Sequence, residues 1–155
     1  MKPKCYQLVG VPGSGKTTWV NEQDWMEDCA YISTDKFVDA HAEETGKTYS
    51  EVFNDFMPTA VNLMVAEVVQ AHEEGKNIIW DQTSTTIASR ARKFNMLPDY
   101  EHIAVVFQTP PRPELKRRLE SRPGKEIPEV VMEGMLASFE MPSKDEGFEQ
   151  IWYAS

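Results

Sequence analysis

The sequence has no apolar run near the ~20 residues that cross a bilayer; stretches such as Ala104–Phe107 are far shorter. It has only two cysteines, Cys5 and Cys29, at no metal-ligand or CxxC spacing. That excludes a disulfide framework and a zinc site of ordinary pattern, and the expectation is two unbridged thiols in a reducing cytoplasm. Its three histidines, His41, His72 and His102, show no metal spacing and no partner nucleophile. There is no internal repeat, low-complexity tract or Gly/Ser linker, so 1–155 reads as a single domain. Met1–Lys4 runs straight into Cys5–Val9 without an apolar leader core, so no secretory signal is expected and the cytoplasm is the expected location. Positive charge is scarce too: Lys+Arg 16 against Asp+Glu 25 gives a net charge of −9. Such a balance argues against a general nucleic-acid coat or a binder of anionic membranes.

The charge is unevenly spread. Residues 90–125 hold 9 basic and 4 acidic side chains, whereas residues 1–89 hold 6 and 14. A basic segment in an acidic chain fits either a local anion site or a solvated helix face. Strand-length apolar runs alternate with helical segments. Strands are expected at Cys5–Val9, Ala30–Ser33, Asn77–Asp81, His102–Phe107 and Ile151–Tyr153. Helices are expected at Lys16–Met26, Ser50–Glu74, Thr83–Asn95, Arg112–Ser121 and from Pro128. Pro58 should bend the long helix or restart it, and Gly75 should end it. The alternation predicts an α/β fold with a central, mostly parallel five-stranded sheet covered by helices on both faces.

Gly10-Val11-Pro12-Gly13-Ser14-Gly15-Lys16-Thr17 matches G-x-x-x-x-G-K-[ST] at every fixed position, between a predicted strand and a predicted helix. Glycines let successive N–H groups turn inward around a phosphate, and the following helix adds its positive end. Lys16 can reach the β- and γ-phosphates, and the Thr17 hydroxyl can ligate Mg²⁺. With glycine near 7% of residues, chance produces such a pattern in roughly one chain of this length in 200. Gly13, Ser14, Gly15, Lys16, Thr17 and Thr18 are therefore the candidate triphosphate contacts, with ATP and Mg²⁺ as the expected cofactors. Asn77–Asp81 reads as an apolar strand ending in an acid, which puts Asp81 near the metal. The guanine-reading N-K-x-D is absent, which disfavours a GTPase switch.

Asp35 follows the second strand, at the same sheet edge as the phosphate loop. It is the candidate general base for an acceptor hydroxyl; capping the next helix is the other use of an Asp there. Arg118 and Arg122 sit at i and i+4, a spacing that lets both meet one anion, in a helical lid at about 112–127. The stretch Arg122–Lys125 is the most loop-like and the expected mobile part. Arg90, Arg92 and Lys93 can meet an acceptor or face solvent.

Together these residues resemble the P-loop kinase domain of polynucleotide kinases, of the bacteriophage 5′-end and eukaryotic kinase/phosphatase types. The resemblance rests on Gly10–Trp19, Ser33–Asp35, Asp81–Thr83 and Glu114–Arg122. It extends to a tail pattern of Ile127-Pro128, Phe139-Glu140-Met141-Pro142 and Glu146-Gly147-Phe148. It implies Lys16 and Thr17 on the triphosphate and Mg²⁺, Asp35 as base, Arg118 and Arg122 on the donor phosphates, and Asp81 near metal or acceptor. It also implies a transiently bound DNA substrate, with Asp35 and Asp81 toward it. Lys36 and Arg90 are candidate substrate contacts from their own positions; no membrane partner is expected, and a monomer is favoured. One departure matters. The phage-type kinase has an arginine three residues after the catalytic Asp to hold the acceptor's phosphate, whereas this chain has Val38, with Lys36 the nearest cation. Related phage kinases phosphorylate 5-hydroxymethyluracil within DNA, and that base hydroxyl is the expected acceptor here. A 5′-hydroxyl end is the alternative, and a free metabolite, as in small-molecule kinases with the same loop, a further one. Trp19, Trp25, Trp80, Trp152, Phe37 and Tyr49 are the aromatics from which a base-stacking wall would come.

Overall fold

Strands buried on both faces read as unbroken apolar runs, whereas strands at a sheet edge do not. In the computed structural model, which describes residues 2–154, β1 (Lys4–Val9), β3 (Ile78–Asp81) and β4 (Glu101–Phe107) are buried along almost their whole length. β2 (Ala30–Ile32) and β5 (Gln150–Ala154) are only partly covered. The order is β2-β3-β1-β4-β5, and every neighbouring pair is parallel. Because all five run the same way, their carboxyl ends share one edge, in register: Leu8 lies beside Asp81, Ile32 beside Trp80, and Val9 beside Val106. Ligands of open α/β sheets bind outside that edge.

Among the described residues, six α-helices connect the strands: α1 (Lys16–Asn21), α2 (Asp35–Thr45), α3 (Tyr49–Glu73), α4 (Ile87–Met96), α5 (Arg112–Glu120) and α6 (Glu129–Ser138). Alternate β1 side chains feed different layers. Cys5 packs with Met64, Val68 and Ala71 of α3 on one face, and Tyr6 and Leu8 pack with Trp19, Val20 and Met26 on the other. Fully buried Leu8, Ile78, Ile79 and Trp80 each add about 1.5–3 kcal/mol of burial.

Three boundaries differ from the sequence reading. The first helix stops at Asn21, not Met26. Gln23 turns extended, and a 3-10 turn at Asp24–Asp28 buries Met26 and sets Trp25 against Tyr6, ring centroids 5.2 Å apart. Pro58 does not restart α3, which runs unbroken through it from a Thr48–Glu51 capping box. Gly75 ends it as expected, with Lys76 N–H returning to the Ala71 carbonyl at 3.0 Å. The fourth helix begins at Ile87 rather than Thr83. Backbone groups that would start it earlier are taken: the Thr83 carbonyl accepts from Gly10 N–H at 2.9 Å, and that of Thr85 from Glu140 N–H at 2.8 Å. No helix among the described residues is long and apolar enough to cross a membrane.

Candidate functional site

The loop between β1 and α1 closes around its glycines. Gly13 and Gly15 have φ of +84° and +97°, where a side chain is strained. A Cβ on Gly13 would also lie 3.1 Å from Leu115 and 3.2 Å from Leu119. The arginine-bearing α5 therefore rests directly on the loop, and Arg118 Nη1 donates to the Gly13 carbonyl at 3.1 Å. Lys16 Nζ lies under the loop, donating to the carbonyls of Gly10 at 2.9 Å and Val11 at 3.0 Å. Burial lowers its ammonium to about 8, against the pull of Asp81 and Asp35.

Asp81 ends β3 beside this lysine. Burial pushes its carboxyl above the usual range, opposed by a hydrogen bond donated by Tyr31 Oη and by the Lys16 charge. Tyr31 comes from β2, which the sheet places next to β3. Its phenol, raised by burial and by Asp81, stays protonated and fixes the carboxylate's direction.

Asp35 is the first residue of α2, after an N-cap at Thr34, and its carboxylate is exposed. It does not cap α2; Oδ1 accepts instead from Tyr49 Oη at 2.6 Å. Two cavities meet here. One, of about 960 Å³, is lined by Gly13–Thr18, Tyr31, Asp81, Arg118 and Arg122, and reaches Trp19, Gln108 and Pro111. The other, of about 920 Å³, is walled by Tyr49, Phe53, Met57, Ile127, Val131 and Met135. Asp35, Asp81, Gln82, Thr83, Arg122 and Lys125 border both.

A triphosphate with Mg²⁺ fits the residues present. Ser14 Oγ and Arg122 Nε are buried polar atoms without a hydrogen-bond partner among the described residues, beside a loop shaped by glycine. The Thr17 hydroxyl and the Asp81 carboxylate are hard oxygen donors of the kind Mg²⁺ takes alongside phosphate oxygens.

The structure thus brings together Gly13–Thr18, Asp35, Asp81, Arg118 and Arg122. The two arginines converge for a reason other than a shared helix face: α5 ends at Glu120, and the chain beyond it turns Arg122 into the cleft. Arg90 is corrected. It is at neither the acceptor nor the surface but fully buried, with Nε and Nη2 on the Glu146 carboxylate at 2.9 and 3.2 Å and Nη1 on the Ser84 carbonyl at 2.9 Å. Lys36 lines the phosphate cleft, but its ammonium is held by Glu67 at 2.6 Å and the Tyr31 carbonyl at 2.7 Å. Val38 is fully buried among Ala42, Val52 and Ala60. Arg122–Lys125, expected to be mobile, is tied to both α3 and α2: Ser50 N–H of α3 donates to the Gly124 carbonyl at 2.9 Å, and Lys125 pairs with Asp39 of α2. Tyr31 and Lys125 were not foreseen, since neither lies in a motif; Tyr31 reaches Asp81 only because β2 adjoins β3.

A parallel sheet with a glycine loop after its first strand and an arginine helix on that loop is the fold of the P-loop kinases. The chain belongs to the AAA domain family, whose model matches residues 7–142. It is similar to heterogeneous nuclear ribonucleoprotein U-like protein 2 of Mus musculus, 28% identical over 94% of this chain and 21% of that protein. It is also similar to the bifunctional polynucleotide phosphatase/kinase of Schizosaccharomyces pombe, 26% identical over 93% of this chain and 31% of that protein. The chain therefore spans under a third of the length of either relative. A chain in the Pnkp1/Rnl/Hen1 RNA repair complex shares the fold with a TM-score of 0.71 at 23% identity, over 88% of this chain and 44% of that one.

Proposed function

We propose that the chain is an ATP- and Mg²⁺-dependent kinase that passes the γ-phosphoryl group to a hydroxyl on DNA, with the hydroxymethyl group of 5-hydroxymethyluracil as acceptor. The observation that carries the reading is the exposed Asp35 carboxylate at the junction of a phosphate-loop cleft and a second, apolar-walled cavity. The second cavity lies in the size range of small-molecule sites and offers aromatic and aliphatic walls to a flat base. Asp35 takes the acceptor's proton as its oxygen bonds to phosphorus and the bond from phosphorus to ADP breaks. Lys16, Arg118 and Arg122 hold the charge spread over the phosphoryl oxygens. Thr17 and Asp81 would hold Mg²⁺, which supplies further charge neutralisation there.

The polynucleotide phosphatase/kinase relative supports a nucleic-acid acceptor. Val38 supports a base hydroxyl over a 5′ end, because it is buried in the core, and Lys36, the cation nearest to it in sequence, is engaged by Glu67. A second reading is a nucleotide-binding module within a larger assembly, for which the ribonucleoprotein-like name of one relative is the support.

The test is transfer from γ-labelled ATP to two DNAs: one with 5′-hydroxyl ends and ordinary bases, one with blocked ends and internal 5-hydroxymethyluracil. Label on the second alone is expected. Label on the first alone would make the protein a 5′-end kinase. Label on neither, with ATP still bound, would favour the binding module or a small-molecule kinase.

A further inference from the structure

We propose that Tyr49 is a positioning residue: it aims the Asp35 carboxylate and makes that aim depend on the chain segment that carries Arg122. The inference rests on the kinase reading above. The Tyr49 hydroxyl donates to Asp35 Oδ1 at 2.6 Å. Asp35 is otherwise an exposed side chain on the first turn of α2, free to sample several rotamers. A bond to one oxygen fixes the carboxylate's plane and leaves the other oxygen for an acceptor hydroxyl. Burial and Asp35 itself push the phenol above its usual range, so it remains a donor at any working pH.

Tyr49 is in turn held from the lid side. Lys125 Nζ sits 4.9 Å above its ring, within cation–π reach, and is anchored by both Asp39 oxygens at 2.9 and 3.0 Å. Its sequence neighbour Ser50 is stitched to the same segment. Ser50 N–H donates to the Gly124 carbonyl at 2.9 Å, and Ser50 Oγ accepts from Glu126 N–H at 2.7 Å. Gly124 packs so closely that a Cβ there would come within 2.9 Å of Thr48 Cβ. Arg122, two residues before this strap, reaches the phosphate cleft and borders the acceptor cavity. The base and a phosphate-binding arginine are thus held through one junction, so that a displaced arginine segment also releases the base. A residue that only filled the cavity wall would need neither the hydroxyl nor the strap.

The experiment compares the wild-type protein, Tyr49→Phe, Ser50→Ala and the double variant on whichever DNA the wild type labels, with ADP affinity measured by calorimetry. Tyr49→Phe keeps the ring and the Lys125 contact and removes only the bond. It is expected to lower kcat about tenfold, the scale of a hydrogen bond to a charged group. KM for ATP and affinity for ADP are expected to stay within about twofold. Ser50→Ala is expected to lower kcat less, and the double variant no further than Tyr49→Phe, because both act through one contact. Wild-type kcat in Tyr49→Phe, or parallel loss of kcat and ADP affinity, would overturn the positioning role. Wild-type kcat in Ser50→Ala, or additive losses in the double variant, would overturn the coupling. No transfer by the wild-type protein to either DNA would overturn the DNA-kinase reading and this inference with it.

Discussion

Arg90→Ala tests the energetics of the scaffold beneath the phosphate loop. The guanidinium is fully buried and makes three hydrogen bonds, two to Glu146 and one to the Ser84 carbonyl, and Glu146 is itself 8% exposed. Truncating it leaves a buried carboxylate without its counter-charge, a loss on the order of 3–5 kcal/mol. That is a large share of the roughly 5–15 kcal/mol that holds a domain folded. For a chain of this size it corresponds to a thermal midpoint lower by about 6–20 °C. Replacing both partners with apolar side chains, Arg90→Met with Glu146→Leu, should cost less than Arg90→Ala alone, because no charge is then stranded. Urea unfolding followed by tryptophan fluorescence, with calorimetry as a second probe, reads both variants. A loss below about 1 kcal/mol for Arg90→Ala, the scale of an exposed ion pair, would refute the reasoning. So would a double variant less stable than the single one.

Two further outcomes concern buried lysines. Lys93 is 5% exposed, its ammonium 5.2 Å over the Trp80 ring, and burial lowers it from the usual 10.5 to about 8. Both native and unfolded chains hold that proton below about pH 8, so the native state there carries the full cost of the buried charge; the cost fades between about pH 8 and 10.5. Lys93→Met should therefore be more stable than the wild type at pH 7, by a margin that shrinks toward pH 10; urea unfolding across that range would contradict this with a constant or reversed difference. Lys16 is lowered to about 8; in the proposed role it would meet phosphate as the ammonium, and the bound phosphate would raise its affinity for the proton. Calorimetry should show ADP affinity level at acid-side pH and falling as pH rises through about 8, and an affinity unchanged to pH 9.5 would contradict the role given to Lys16.

What was legible in the sequence was what is local. The phosphate loop, the strand-end acids Asp35 and Asp81, and the alternation that yields a parallel sheet all depend on residues within a few positions of one another. What was not legible depends on distant partners. Nothing near Arg90 marks it as buried, since Glu146 lies 56 residues on. The Phe139-Glu140 and Glu146-Gly147-Phe148 tail, read as a family pattern, is a brace. Glu140 accepts from Ile87 N–H at 3.1 Å, Glu146 holds Arg90, and Phe148 packs edge-on to Phe94 at 4.8 Å. The brace fixes the loop after β3, whose Thr83 carbonyl anchors Gly10. The early stop of α1 is local, Gln23 turning extended before the 3-10 turn, whereas the late start of α4 comes from distant partners. Tertiary bonds claimed backbone groups that helix periodicity alone would have assigned to the helix. Tyr31 beside Asp81, and the bond of Tyr49 (named in the sequence only as a candidate stacking aromatic) to Asp35, became visible only once the sheet order and the fold of α3 onto α2 were in place.

The most direct test of the account pairs nucleotide binding with transfer in Asp35→Asn. The carboxylate borders the cleft without holding the phosphate loop, so this variant should bind ATP with wild-type affinity by calorimetry. Its transfer of γ-label to the DNA that the wild-type protein labels should fall by at least about 10²-fold, the contribution of a positioned general base. Transfer at the wild-type rate by Asp35→Asn would contradict the account at its centre.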